Sequence, residues 1–162
     1  MQTKHFRLYS IGHGSDTPEH FLQRLQTFGI TCVADVRRFP HTARLSHFKD
    51  KSLRLLLERA GIDYVPLGEW LGGFRKEGYE SYTRTPEFSE GLQKLMALAE
   101  DQNVAFLCAE FDPLHCHRRF IAAELVKQRW PVAHILKDGS LISHSDLIHG
   151  QTLDLFDPTN GF

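Results

Sequence analysis

Short apolar runs alternate with segments of helical spacing along almost the whole chain, and this alternation restricts the fold more than any composition figure. Phe6 to Ile11 reads as a strand that ends in Gly12-His13-Gly14. Thr17 then supplies a helix N-cap with Pro18 in the first turn. Phe21, Leu22, Leu25 and Phe28 recur at helical spacing, and Gly29 stops the helix. Thr31 to Val36 is a second apolar strand, so the first third of the chain has the outline of a βαβ unit with a right-handed crossover. A helix over residues 50–60, a strand over 62–67, a helix opened by Pro86, a strand over 104–107 and a strand over 131–136 continue the pattern. Asp112-Pro113 opens the helix between the last two strands and runs to about Arg129. The expected architecture is a single α/β domain: a mostly parallel open sheet of about five strands with helices on both faces. Residues 1–139 form that domain, and residues 140–162 read as a polar C-terminal tail.

The 162 residues suit one core. With 41% hydrophobic and 24% charged residues and a net charge of −1, the chain has no generally basic surface of the nucleic-acid-binding kind. A local basic patch is still available from Arg37, Arg38 and Arg44. No apolar run approaches the roughly 20 residues that span a bilayer, and the start of the chain lacks the apolar core of a signal peptide. The expectation is a cytoplasmic protein without a membrane partner, whose thiols stay reduced. Three scattered cysteines do not make a disulfide framework, and Cys32, inside an apolar strand, reads as a buried small hydrophobe.

The chemistry concentrates where strands end. Val104-Ala-Phe-Leu-Cys108-Ala-Glu110 is followed by Asp112-Pro-Leu-His115-Cys116-His117-Arg118-Arg119. In open α/β sheets, ligands bind outside the carboxyl ends of the strands. Parallel strands would bring His13, Asp35, Arg37, Cys108 and Glu110 to one edge. Cys108, facing a helix start and Arg118, is a candidate nucleophile. Glu110 is a candidate general acid/base, with His13, set between two glycines, as a further catalytic candidate. Arg37, Arg118, His117, Asp35 and Cys116 are candidate substrate contacts. Tyr82, with Trp70 and Tyr79, lies in the long aromatic segment 68–85, which suits a mobile loop stacking on a substrate. Glu110 beside the thiol favours a hydrogen-bond-rich substrate such as a nucleobase over a bare phosphate, with the arginines holding any attached phosphate.

Each residue also has a plainer reading. Asp35 can pair with Arg37, Asp112 can cap a helix, and buried thiols can be inert. The spacing of Cys108, Cys116 and the neighbouring histidines matches no standard zinc pattern, so no metal and no cofactor is assigned.

Tyr9-Ser-Ile-Gly-His-Gly14, Val33-Ala-Asp-Val-Arg37 with Pro40, Leu71-Gly-Gly73, Arg84-Thr-Pro-Glu-Phe88 and Cys108-Ala-Glu110 with Cys116-His-Arg118 together resemble the domain-of-unknown-function 488 family. That resemblance implies an α/β domain and carries no assigned reaction. A more distant similarity, in the order of elements, is to rhodanese-like domains. It would put Cys108 at the sulfur-carrying position, although this loop is longer and holds Glu110 and Asp112 where rhodaneses offer an anion cradle. Gln151-Thr-Leu-Asp-Leu-Phe156 is similar to the peptide by which bacterial DNA-maintenance proteins dock on the polymerase sliding clamp, with Leu153, Leu155 and Phe156 filling the groove. A terminal segment folded back on its own domain is the alternative.

The reading that results is a cytoplasmic enzyme using Cys108 and Glu110 on a nucleotide-like or nucleic-acid substrate. Two alternatives stay open: a non-catalytic nucleotide or nucleic-acid binding module tethered to DNA-maintenance machinery, and a metal-dependent hydrolase using the Cys/His cluster.

Overall fold

The computed structural model describes residues 6–156, and side chains as far as residue 150. Its core is a six-stranded sheet of β1 (Leu8–Gly12), β2 (Cys32–Asp35), β3 (Asp63–Pro66), β4 (Val104–Cys108), β5 (Val132–Ile135) and β6 (Leu141–Ser143). The spatial order is β3-β2-β4-β1-β5-β6. All neighbours are parallel except β6, which runs antiparallel to β5. The expected mostly parallel α/β domain is therefore the observed one, with one strand more than the pattern suggested. That strand comes from the segment read as a tail: Leu141–Ser143 pairs with β5, and the chain continues into helix α7 (His144–Phe156). Asp138-Gly139 makes the turn that allows it, with Gly139 at φ 86°. Three residues give too short an alternation to register as a strand in the sequence.

The strand period of two sorts side chains onto two faces. Along β4, Val104, Phe106 and Cys108 pack into one apolar cluster, and Ala105 and Leu107 into the other. The first cluster is covered by α5 (Pro86–Asp101) and α6 (Arg118–Lys127) through residues such as Phe88, Leu92, Leu95, Ile121 and Leu125. The second is covered by α1 (Pro18–Thr27) and α2 (Asp50–Arg59) through Phe21, Leu25, Leu53 and Leu57. Helices on both faces bury both sides of the sheet, which is why its strands are apolar throughout.

Helix starts follow their caps. The Thr17 hydroxyl accepts from His20 N at 3.1 Å, and Thr85 caps α5 by accepting from Phe88 N at 3.3 Å. Asp112 behaves differently from the expectation. It caps a single 3₁₀ turn, Pro113–His115, and α6 starts only at Arg118. The intervening extended Cys116 breaks the run.

The segment 68–85 also departs from a mobile loop. It holds two helical turns, α3 (Gly68–Leu71) and α4 (Tyr79–Tyr82), pinned by Tyr79 Oη to Leu71 O and Tyr82 Oη to Trp70 O. The rings of Trp70, Tyr79 and Tyr82 pack on the α5 side of the core, which a sequence pattern without periodicity did not reveal.

Gly12 sits where β1 passes closest to the loop after β4. A Cβ there would overlap the Glu110 carbonyl and press on the Arg118 guanidinium. Gly12→Ala is expected to cost roughly 2–3 kcal/mol of stability by overpacking, read as a lower urea midpoint. Gly61→Ala, at φ 75° with open space around it, should cost about 1 kcal/mol. Equal losses would show that the close approach at Gly12 carries no special constraint.

Candidate functional site at the strand ends

The carboxyl ends of β1, β2 and β4 do meet, and the loops that follow them are stitched together. His13 N donates to Cys108 O at 3.1 Å, and Gly14 N to Ala109 O at 2.7 Å. The side chains of the rim, however, divide into two groups, because the residues come from strand positions of opposite parity.

On the α1–α2 side, Asp35 and Arg37 form a buried bidentate pair, with Nε at 2.9 Å and Nη2 at 2.8 Å from the two carboxylate oxygens. Tyr64 Oη donates to Asp35 at 2.6 Å, and Arg37 Nη1 donates to Phe48 O at 2.6 Å. Burial, then the Asp35 charge, raises the Tyr64 pKa. His13 completes this group. Its Nδ1–H donates to Gly14 O at 2.9 Å, so Nε2 carries the lone pair that faces Arg37 Nη1 at 3.4 Å. The ring stacks on Phe48, with centroids 4.4 Å apart. Burial, with the Arg37 charge adding to it, lowers the His13 pKa to about 4.

The α5–α6 side holds the sulfur chemistry. Cys108 and Cys116 meet sulfur to sulfur as a disulfide-bonded pair, with Cα atoms 7.6 Å apart. The expectation of three unpaired thiols thus holds only for Cys32, which is free and buried. Cys108 is 2% exposed, whereas Cys116 is half-buried. His117, at the N-cap of α6, lies beside Cys116 with Nδ1 3.6 Å from Sγ. Its Nε2–H donates to Val36 O at 3.0 Å, so the Nδ1 lone pair is the one turned toward sulfur. Burial, opposed by that carbonyl and reinforced by Arg118 and Arg75, holds the His117 pKa down at about 4.

Arg118 is fully buried behind the thiols. It donates to Ser10 Oγ at 3.1 Å, Glu110 O at 2.6 Å and Phe111 O at 3.2 Å, while its Nε has no partner. From Ser10 the hydrogen bonds continue to His134 Nδ1, and from His134 Nε2 to His144 Nδ1 at 2.9 Å. Glu110 itself is exposed and meets Arg118 through its carbonyl.

Tyr82 lies further out. Arg75 covers its ring at 3.9 Å, and it reaches His117 only through Tyr79, whose ring is 5.7 Å from Tyr82 and 5.1 Å from His117. Ser10, His134, His144, Tyr64 and Phe48 were not singled out from the sequence. The usable signal was a polar residue inside an otherwise apolar strand, as in Leu-Tyr-Ser-Ile and Val-Ala-His-Ile.

Two surface hollows flank α6; the larger, about 550 Å³, is lined by Arg119, Phe120, Ala123, Val126, His144, Ser145 and Ile148. With the two sulfurs joined, no three His, Cys, Asp or Glu side chains among the described residues form a group able to hold a metal ion. Among the same residues, no helix is long and apolar enough to cross a membrane. The side chains of Leu153, Leu155 and Phe156, on which the clamp-docking peptide depends, lie outside the described residues.

The fold and rim define an open, doubly wound α/β domain with paired cysteines and a buried arginine at the ends of its central strands. A family model described as Domain of unknown function DUF488 matches residues 17–125, more than half of the chain, and the protein belongs to that family. The matched span includes Asp35, Arg37, Cys108, Glu110, Cys116, His117 and Arg118, and His13 lies just before it. No curated protein and no solved structure matches the chain.

The buried histidines set an acid limit on stability. Above pH 6.5 they are neutral in both folded and unfolded chains and contribute no slope. Between about 6.5 and 4 the unfolded chain takes up protons that folded His13 and His117 refuse, so stability falls as pH falls through that window. The urea midpoint is expected to be level from pH 8 to 7 and to drop steadily below 6.5, with a shallower drop in His13→Gln. A midpoint unchanged down to pH 4.5 would contradict the neutral burial of these rings.

Proposed function

We propose that this protein is an enzyme of thiol chemistry, working at the β4–α6 end of the sheet on a nucleotide-like or nucleic-acid substrate. The observation that carries this reading is the orientation of His117: its Nε2–H is held by Val36 O, leaving Nδ1 3.6 Å from Cys116 Sγ. A neutral imidazole with a fixed lone pair beside a thiol is the arrangement of a general base and its nucleophile. The N-terminus of the ten-residue α6 adds a field that favours thiolate.

In this reading Cys116 is the attacking thiol, because Cys108 is almost sealed. The Cys116 proton passes to His117 Nδ1, and the sulfur electron pair forms a bond to an electrophilic atom of the substrate. The displaced group leaves with the electrons of its broken bond and takes the proton back from His117. Water then hydrolyses the sulfur–substrate bond and restores the thiol. Cys108 is the second sulfur: joined to Cys116 it blocks attack, and two electrons and two protons from a cellular thiol reductant reopen the site. That requirement suits a cytoplasmic setting. Glu110, exposed beside the loop, is available for proton exchange with the substrate. His13, Asp35, Arg37 and Arg118 are positioning residues here, since each is buried and held by partners within the protein.

The near-complete burial of Cys108 favours a second reading, a non-catalytic binding module whose sulfur pair is structural. Alkylation of the reduced, folded protein separates the two. Iodoacetamide at pH 7 is expected to modify Cys116 at least tenfold faster than Cys108 or Cys32, and His117→Gln should slow that rate about tenfold. A Cys116 no faster than a thiol of the unfolded chain, and indifferent to His117→Gln, would leave only the binding module.

A further inference from the structure

Two large aromatic rings stand in solvent beside this rim. Phe74 is 86% exposed and Phe39 is 48% exposed, and the two stack with centroids 6.3 Å apart and planes inclined by 30°. Phe74 moreover takes φ 60°, a left-handed conformation that is unusual for an aromatic residue. Exposure and backbone conformation both disfavour phenylalanine there, and neither is offset by packing into the core. Outliers of this kind cluster at ligand clamps.

The pair is built into the rim. Arg38 Nη1 donates to Phe74 O at 2.7 Å, and its guanidinium lies 5.4 Å from the Phe39 ring centre. Residue 38 directly follows Arg37, and residue 73 abuts His117: a Cβ on Gly73 would stand 3.3 Å from His117 Nδ1. Phe39 is therefore carried two residues beyond Arg37, and Phe74 one residue beyond the glycine that abuts His117. His41 meets Phe39 edge-on at 6.4 Å.

Cations outnumber acidic residues in the two segments that carry the rings, with Glu77 the acidic residue nearest Phe74 in sequence. From Val36 to Lys49 the chain carries Arg37, Arg38, Arg44 and Lys49 and no acidic residue. Arg75 and Lys76 directly follow Phe74. Among the described residues, Arg38, Arg44, Arg75 and Lys76 enter no salt bridge.

We infer that Phe39 and Phe74, with Arg38, form a stacking platform for an unpaired base of a single-stranded nucleic acid, deepening the proposed function by giving its substrate class. Flat apolar rings beside unneutralised cations match a ligand made of flat bases on an anionic backbone. A base stacks on the solvent-exposed face of Phe74. An acidic or neutral protein surface would leave one of the two features unmatched.

The test is fluorescence anisotropy with a labelled twelve-nucleotide single strand of mixed sequence, and the same sequence as a duplex, at low and moderate salt. Phe74→Gly removes the ring and relaxes the backbone, so it should fold at least as well as the parent, checked by its melting temperature. The single strand is expected to bind more tightly than the duplex. Phe74→Gly and Phe39→Ala should each weaken it about tenfold, and Phe74→Trp should preserve binding. Absence of single-strand binding by the parent would overturn the inference, as would ring-removed variants that bind equally well. Binding that depends on salt but not on the rings would assign it to charge alone and overturn the platform. Loss on Phe74→Gly in a protein whose Cys116 alkylates ordinarily would sustain the platform while ending the thiol reading.

Discussion

A buried guanidinium governs the architecture of the rim. Arg118 enters from the first turn of α6, with no exposed surface, and its donors reach Ser10 on β1 and the carbonyls of Glu110 and Phe111 after β4. A buried charge is tolerable only when such partners surround it, and supplying them folds the loop after β4 back over the end of β1. Gly12 makes the approach possible, since any side chain there would occupy the place of the Glu110 carbonyl. The sulfur pair, His117 and the start of α6 all take their positions from that fold-back. Removing one partner from a buried ion of this kind ordinarily costs several kcal/mol, so the loop and the central strands stand or fall together.

The period of the strands imposes a second constraint. Ser10 and Cys108 face α5 and α6, while His13, Asp35 and Arg37 come from positions of the opposite parity. One rim therefore carries two chemistries, joined only by backbone: Val36 O receives His117 on one side, and the Asp35–Arg37 pair follows on the other. Both sides keep their histidines neutral, because burial penalises imidazolium and each ring already has its donor placed. Neutral, oriented imidazoles next to arginines tied to internal carboxylate, hydroxyl and carbonyl oxygens make a rim that is ordered by its own contacts.

The sequence made the sheet legible because its strands are apolar on both faces and its helices start with caps such as Thr17-Pro18 and Thr85-Pro86. It also placed Asp35 and Cys108 at the carboxyl ends of their strands and His13 just beyond Gly12, where the structure has them. The division of the site into two faces followed from parity, which is readable by counting residues from Ser10 or Cys108, but it emerges only once strand register is known. The late start of α6 was hidden because Asp112-Pro113 is an equally good cap for a single 3₁₀ turn. Strand β6 is too short to show a period. The burial of Arg118 could not be read at all, because an arginine in a polar loop looks solvated until a pocket of carbonyls is built around it.

That last point changes where recognition must happen. Read as sequence, Arg37 and Arg118 were the natural holders of a substrate phosphate. In the folded protein, Arg37 is committed to Asp35 and Phe48, and Arg118 to Ser10 and two carbonyls. A phosphate could recruit either only by displacing partners that the buried ion cannot easily lose. Cations outside the core bear no such commitment: Arg38 and Arg75 hold carbonyl oxygens at the surface with part of their guanidinium, and both lie next to exposed or half-exposed rings. The inner arginines are spent on partners inside the protein, and Arg38 and Arg75 with Phe39 and Phe74 are left on the solvent side. In the proposed reading, chemistry and recognition thus occupy adjacent layers of one rim, with Arg38 directly after Arg37 and Phe74 directly after Gly73.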